Sequence, residues 1–321
     1  MSENNKNTIE LDKDLVTEIL QGSAKELQNQ RKSRRNWFFF KGGLFVLFFV
    51  SAYFIGGSEI NYKSGDKNEP HIASVEIYGP IMSGQLADAG RIIPSLHKAF
   101  NTSLVKGVVL RINSPGGSPV HAGRLYQAIK KLRAEFPNKP IHAVIEDMGA
   151  SAAYYIASAT DKIYVDPASM VGSIGVISSN FGFTEVMKKV GVERRVYTAG
   201  KNKALMDPYS PMQPHIKEYW ADMLDEIHQQ FITAVKEGRG DRLNAEFPDL
   251  FSGLIWTGAK SVEIGLSDEL GSIGDVSRAV LDGETNIVNY TPPIDILKRF
   301  ASESRAQVSA FLMENDRPYI F

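Results

Sequence analysis

Apolar and polar positions along this chain change rhythm several times, and each change predicts an element. Residues 37–56 form an unbroken apolar and aromatic run with Lys41 as its one charge. Its length matches the roughly 20 residues that a helix needs to cross a bilayer. The run lacks the polar face with a 3.6-residue period that a core helix would carry, and it follows a polar stretch too long for a cleaved leader. It therefore predicts a retained membrane helix over residues 37–57. Arg31, Lys32, Arg34 and Arg35 crowd its N-terminal flank, whereas Glu59, Lys63, Asp66, Lys67 and Glu69 mix both signs beyond it. The positive-inside bias then assigns residues 1–36 to the cytoplasm and the remainder to the far side of the membrane.

Residues 1–36 read as a mostly flexible polar tail with a short helical pattern around residues 11–27, and residues 58–70 read as a polar linker. A folded domain should begin near His71, where residues 72–81 alternate and then break at Gly79-Pro80 as a strand entering a turn would. Residues 105–112 are apolar and β-branched, residues 120–136 have helical spacing, residues 141–145 read as a strand, 150–159 as a helix and 161–165 as another strand. Such alternation predicts an α/β fold with parallel pairing, in which active sites gather at the carboxyl ends of strands. Residues 208–238 place Trp220, Met223, Leu224, Ile227, Phe231 and Val235 on one helical face. A smaller unit covers residues 251–274, and residues 294–312 carry a further helical pattern.

Composition narrows the functional classes. The 321 residues are 43% hydrophobic and 23% charged, ordinary values for folded protein, and 36 Lys and Arg against 37 Asp and Glu leave a net charge of −1. No basic surplus points to nucleic acid. With no cysteine, disulfides, thiolate metal sites and a cysteine nucleophile are excluded.

Three small-residue turns hold the candidate chemistry. Asn113-Ser114-Pro115-Gly116-Gly117-Ser118 follows a strand, and its glycines can leave backbone N–H groups uncovered for an oxyanion or, more plainly, form a tight turn. It matches neither phosphate-loop nor dinucleotide fingerprints. Ser151, flanked by Ala150, Ala152 and Ala153, stands where a strand gives way to a helix, and a serine there is ordinarily an N-cap. Ser173 is a second serine among glycines. His71, His97, His121, His142, His215 and His228 lack the sequence setting of a triad base with an orienting carboxylate. If Ser151 is a nucleophile, its activation then comes from another group, and a lysine desolvated by apolar neighbours can serve, a known variant of the triad logic. Lys201 and Lys203 are available, although a loop lysine is ordinarily solvated surface.

The set Asn113-Ser114-Pro115-Gly116-Gly117, Gly149-Ala150-Ser151-Ala152-Ala153-Tyr154-Tyr155-Ile156, Asp161-Lys162-Ile163-Tyr164-Val165, Gly172-Ser173-Ile174-Gly175-Val176 and Gly200-Lys201-Asn202-Lys203 resembles, in order, the signal peptide peptidase A family of membrane-anchored serine/lysine proteases. The resemblance covers roughly residues 71–285 and implies the short, single-domain form, with residues 286–321 as a C-terminal extension. It implies a Clp/crotonase-like fold of repeated β-β-α units. Carried over by position, the nucleophile falls on Ser151, the general base on Lys203 with Lys201 as rival, the lysine-positioning hydroxyl on Ser173, and the oxyanion donors on Gly117 and Ala152. Ala152-Ala153 departs from the Gly-Gly common in the family. The resemblance further implies no metal or organic cofactor, peptide substrates such as cleaved signal peptides, a homo-oligomeric ring whose subunits share sites, and a periplasmic domain anchored in a bacterial inner membrane. Rival readings are an acyl-CoA enzyme of the crotonase type, a non-catalytic membrane scaffold, and a protease acting on a stomatin-like partner.

Overall fold

A computed structural model describes residues 65–292. The expected membrane helix, the N-terminal tail, the start of the linker and the helical pattern at 294–312 lie outside those residues. Among the described residues no helix is long and apolar enough to cross a membrane.

The expected alternation builds a parallel-rich α/β sheet. Strand β1 (His71–Tyr78), helix α1 (Ala89–Asn101), β2 (Val105–Ser114), α2 (Pro119–Glu135) and β3 (Ile141–Ala150) follow in turn, and the three strands pair in parallel. Helix α3 (Ala152–Ala157), β4 (Lys162–Val165), β5 (Met170–Gly172), α4 (Thr184–Lys189) and α5 (Pro214–Arg239) come next. The chain then adds β6 (Ile255–Thr257), α6 (Gly258–Glu263), β7 (Glu269–Leu270), α7 (Ile273–Val280) and β8 (Ile287–Asn289). The main path through the sheet runs β6-β5-β3-β2-β1-β8, with β4 and β7 branching from β3; among the described residues only the β5–β6 pair is antiparallel.

Period-two alternation sorts side chains between the faces. Val75, Ile77, Leu110, Ile112, Ala143 and Ile145 form one core with Ile92 and Leu96 of α1 and Leu125 and Ile129 of α2. Ile72, Val109, Val144 and Tyr164 meet Val276 of α7 on the other. The helices start at local signals: Asp88 caps α1 by accepting the Gly90 N–H, and Ser118 caps α2 ahead of Pro119.

Two features position the site. β3 changes partner along its length: residues 142–145 pair with β4, whereas Met148, Gly149 and Ala150 pair with β5. The break coincides with a register shift against β2, where Ile112 faces Ile145 and Ser114 faces Gly149. This irregularity extends β3 beyond the expected 141–145 and carries its end across the sheet to β5. Behind it, fully buried Arg239 of α5 grips Asp268 through two hydrogen bonds of 2.7 and 3.0 Å and donates Nε to the Gly265 carbonyl at 2.9 Å. Burial alone would raise the Asp268 carboxyl, but hydrogen bonding and charge from Arg239, with the Ile163 N–H and Arg242, hold it below the ordinary carboxylate range.

The segment from Ile177 to α5 differs from all of this. Helix α4 buries no residue. Ile177, Phe181, Val190 and Tyr197 are 88%, 79%, 66% and 91% exposed. The apolar face of α5 is graded, with Phe231 and Val235 buried and Trp220, Met223, Leu224 and Ile227 half-buried.

Candidate active site

The ends of β2, β3 and β5 bring three of the small-residue turns together. Ser151 follows β3 with φ 55° and ψ −124°, backbone angles that a side-chain-bearing residue adopts at a cost of roughly 1–3 kcal/mol. The conformation is held from both sides: the Ser151 N–H donates to the Gly172 carbonyl at 2.8 Å, and its own carbonyl accepts the Tyr155 N–H at 3.0 Å. Ser151 occupies the N-cap position of α3, yet its hydroxyl makes no capping bond. The ordinary reading of a serine at a helix start is therefore set aside, and the strained turn leaves Ser151 half-exposed at a strand-to-helix elbow. Ser173, next to the Gly172 that grips Ser151, is strained in the same sense at φ 52°, with its N–H bonded to the Leu254 carbonyl at 2.7 Å.

The glycine turn lies against this elbow. A Cβ on Gly116 would fall 2.7 Å from the Ser151 Cβ, 2.9 Å from the Ala150 carbonyl oxygen and 3.1 Å from the Ala152 nitrogen. Gly117, at φ 153°, is pressed onto the strand-like residue Ile81, whose carbonyl oxygen would lie 2.3 Å from an added Cβ. Ile81 donates to the Gly116 carbonyl at 2.9 Å and accepts the Ser118 N–H at 2.8 Å. That bridge uses the groups on either side of Gly117 and leaves the Gly117 N–H unspent. Ala152, first in α3, has no intrahelical acceptor for its N–H. Among the described residues neither N–H meets a hydrogen-bond acceptor. Two uncommitted donors beside a serine hydroxyl form an arrangement suited to stabilising a tetrahedral oxyanion.

Lys201 and Lys203 sit elsewhere in the chain's architecture, on a turn-rich stretch of the exposed segment. The Lys203 N–H closes one of its turns on the Gly200 carbonyl at 3.1 Å. Both side chains are exposed, and among the described residues no hydrogen bond joins either amine to Ser151 or Ser173. The turn itself is anchored just downstream. Asp207 accepts from Ser210 at 2.7 Å and pairs with Arg194 at 3.3 Å, and the Ser210 bond foremost holds its carboxyl below the ordinary range. The described residues thus bring Ser151, Ser173 and the Gly117 and Ala152 N–H groups together but leave Lys201 and Lys203 without the apolar burial that would lower a lysine's pKa.

Tertiary structure adds detail to the reading of the histidines. His121, on the first turn of α2, has Ser83 Oγ at 3.2 Å from Nε2 and the Asp88 carboxylate at 3.7 Å from Nδ1. The Ala89 N–H, however, donates to Nδ1 at 3.2 Å. Nδ1 must then carry a lone pair and Nε2 the proton, so His121 donates to Ser83 rather than accepting from it. The trio resembles a triad in composition but has the wrong tautomer to activate Ser83. Of the others, His228 bonds the Ile174 carbonyl at 3.0 Å, and burial pushes His142 down. Sequence separation hid the His121 cluster, whose serine lies 38 positions away.

A parallel-rich α/β sheet with a strained serine and free amides at its strand ends suits acyl-transfer chemistry, and comparison with known proteins gives the class. Residues 133–285 match the model of peptidase family S49. A putative protease of Methanocaldococcus jannaschii is 30% identical over 262 residues, covering 77% of this chain and 83% of that protein. A putative signal peptide peptidase SppA of Enterococcus faecium is 27% identical over 235 residues, covering 69% and 67%. The chain belongs to peptidase family S49, the signal peptide peptidase A proteases. It is also 42% identical over 239 residues to the Na+/H+ antiporter NhaA of Brucella melitensis, covering 72% of this chain but spanning only 32% of that protein.

Proposed function

We propose that this protease is a membrane-anchored serine endopeptidase that degrades cleaved signal peptides or other short apolar peptides, with Ser151 as nucleophile and Lys203 as general base. The observation that carries the reading is the Ser151 elbow: a strained serine whose hydroxyl caps nothing, packed against Gly116 and beside the free N–H groups of Gly117 and Ala152. In the first half-reaction the unprotonated Lys203 amine takes the Oγ proton as Oγ bonds to the peptide carbonyl carbon. The Gly117 and Ala152 N–H groups hold the resulting oxyanion. Collapse breaks the C–N bond, and the lysine returns its proton to the leaving amine. Water, deprotonated by the same lysine, then releases the acyl group from Ser151. Ser173 orients the amine.

In this reading the Clp/crotonase-like domain works as a ring of subunits. The exposed apolar segment that carries Lys203 packs on a neighbouring copy, so that the dyad is completed across an interface and the amine is desolvated there. Exposure of Ile177, Phe181, Val190 and Tyr197 supports this, because a patch of such side chains is a mark of an interaction surface. Residues 37–57 anchor the ring in a bacterial inner membrane with the catalytic domain in the periplasm.

The test is turnover of a signal-peptide-derived substrate by the detergent-solubilised full chain and its Ser151→Ala, Lys203→Ala and Lys201→Ala variants. Loss with the first two and near-normal turnover with the third is expected. Full activity of Ser151→Ala would refute the mechanism, and loss confined to Lys201→Ala would move the base to that residue.

A further inference from the structure

The Gly117 N–H is useful only if its peptide cannot rotate, yet a glycine is the residue least able to fix its own orientation. What fixes it is Ile81, fully buried, which bonds the carbonyl before Gly117 and the N–H after it. Ile81 belongs to the loop between β1 and α1, and that loop has its own anchor. His121 is 8% exposed and takes the Ala89 N–H on Nδ1 while giving Nε2–H to Ser83. The imidazole therefore ties both sides of the loop's distal half, Ser83 and the start of α1, to the first turn of the helix that Gly117 leads into. Asp88 completes the clasp by accepting the Gly84 and Gly90 N–H groups at 2.9 and 2.7 Å. Burial opposes ionisation of Asp88, but these backbone bonds and the nearby Arg124 hold its carboxyl below the ordinary range, so it remains an acceptor.

We infer that His121 is a positioning residue for the oxyanion hole. It acts through the loop that carries Ile81 and keeps the Gly117 N–H aimed at the reacting carbonyl. This rests on the assignment of Ser151 and Gly117 above. It accounts for a buried histidine next to a serine and a carboxylate whose tautomer excludes it from proton transfer. Because the imidazole bonds Ser83 and the Ala89 N–H rather than Ser151, its loss lowers transition-state stabilisation and leaves ground-state binding alone.

The test compares the full chain in detergent with its His121→Ala, His121→Asn and Ser83→Ala variants. Readouts are kcat, KM and affinity for a short apolar peptide boronate, whose tetrahedral adduct occupies the oxyanion hole. His121→Ala should lower kcat about 10- to 100-fold, below the effect of deleting a donor outright, and weaken boronate binding by the same factor with KM within about twofold. His121→Asn, which places an amide oxygen near the Nδ1 position for the Ala89 N–H, should recover most of the loss. Ser83→Ala removes one tie only and should cost less than about tenfold in kcat; it serves as the folded probe if His121→Ala does not accumulate. Unchanged kcat in His121→Ala, a kcat loss without matching loss of boronate affinity, or a rise in KM alone would overturn the inference. If Ser151→Ala is inactive while His121→Ala is fully active, the inference fails and the catalytic assignment stands; if Ser151→Ala is active, the assignment itself is wrong.

Discussion

The ends of β2, β3 and β5 and the segment that carries Lys203 are built on opposite plans. At the strand ends every backbone choice is enforced: Ser151 and Ser173 hold positive φ values of 55° and 52° because Gly172 and Leu254 carbonyls grip their N–H groups, and Gly116 and Gly117 fit where no Cβ would. Along the lysine segment, helix α4 buries nothing and apolar side chains face outward. The first region stores strain against a finished core, whereas the second leaves apolar side chains uncovered. Under the mechanism proposed above, the oxyanion-binding half would be ready in each subunit and the base completed by contact between copies.

That comparison can be broken at several points, from large effects to small. Ser151→Gly should abolish turnover, lowering kcat/KM by at least ~10³-fold, while raising stability by about 1 kcal/mol because glycine adopts φ 55° without strain. An active Ser151→Gly, or one destabilised in chemical denaturation, would show that the elbow is neither catalytic nor strained. Arg239→Ala should cost about 3 kcal/mol, since it removes two of the charged hydrogen bonds to Asp268 and leaves the carboxylate to Arg242 and the Ile163 N–H. The lowered Asp268 pKa gives the pair a signature in acid. Its stabilisation is present above the ordinary carboxylate value of 3.8 and disappears as pH falls through the still lower folded value, so the wild-type advantage over Arg239→Ala should shrink in that window. Gly117→Ala drives a Cβ toward the Ile81 carbonyl and should lower kcat about 100-fold with less effect on KM. Val190→Lys, on the exposed segment, should change the stability of the folded chain by no more than about 0.5 kcal/mol while shifting it toward smaller assemblies in sedimentation. A large stability loss there would mean that the segment is already packed within one subunit.

Much of the scaffold could be read from residue order because its signals are local. Alternation marks β1, an apolar β-branched run marks β2, and amphipathic spacing marks α2. Helix α1 escaped because Pro94 interrupts its interior, and the last residues of β3 because Glu146 and Asp147 break the apolar run that defines its beginning. The small-residue turns were legible as motifs, but the property that separates a nucleophile from a cap was not. Whether Ser151 spends its hydroxyl on α3 depends on φ and ψ values set by Gly172, a residue brought in by strand pairing. His121 was passed over for the same kind of reason: its serine, carboxylate and backbone partners come from a loop before β2, and the Ala89 N–H that decides its tautomer is visible only once α1 and α2 are packed.

The central claim, that Ser151 is the nucleophile, is tested most directly by finding where a fluorophosphonate attached to a short apolar peptide bonds to the active full chain. Mapping by mass spectrometry should find the adduct on Ser151, with loss of activity in proportion and with labelling suppressed in Lys203→Ala. Inactivation with the adduct on Ser173, Ser83 or any other residue would contradict the account.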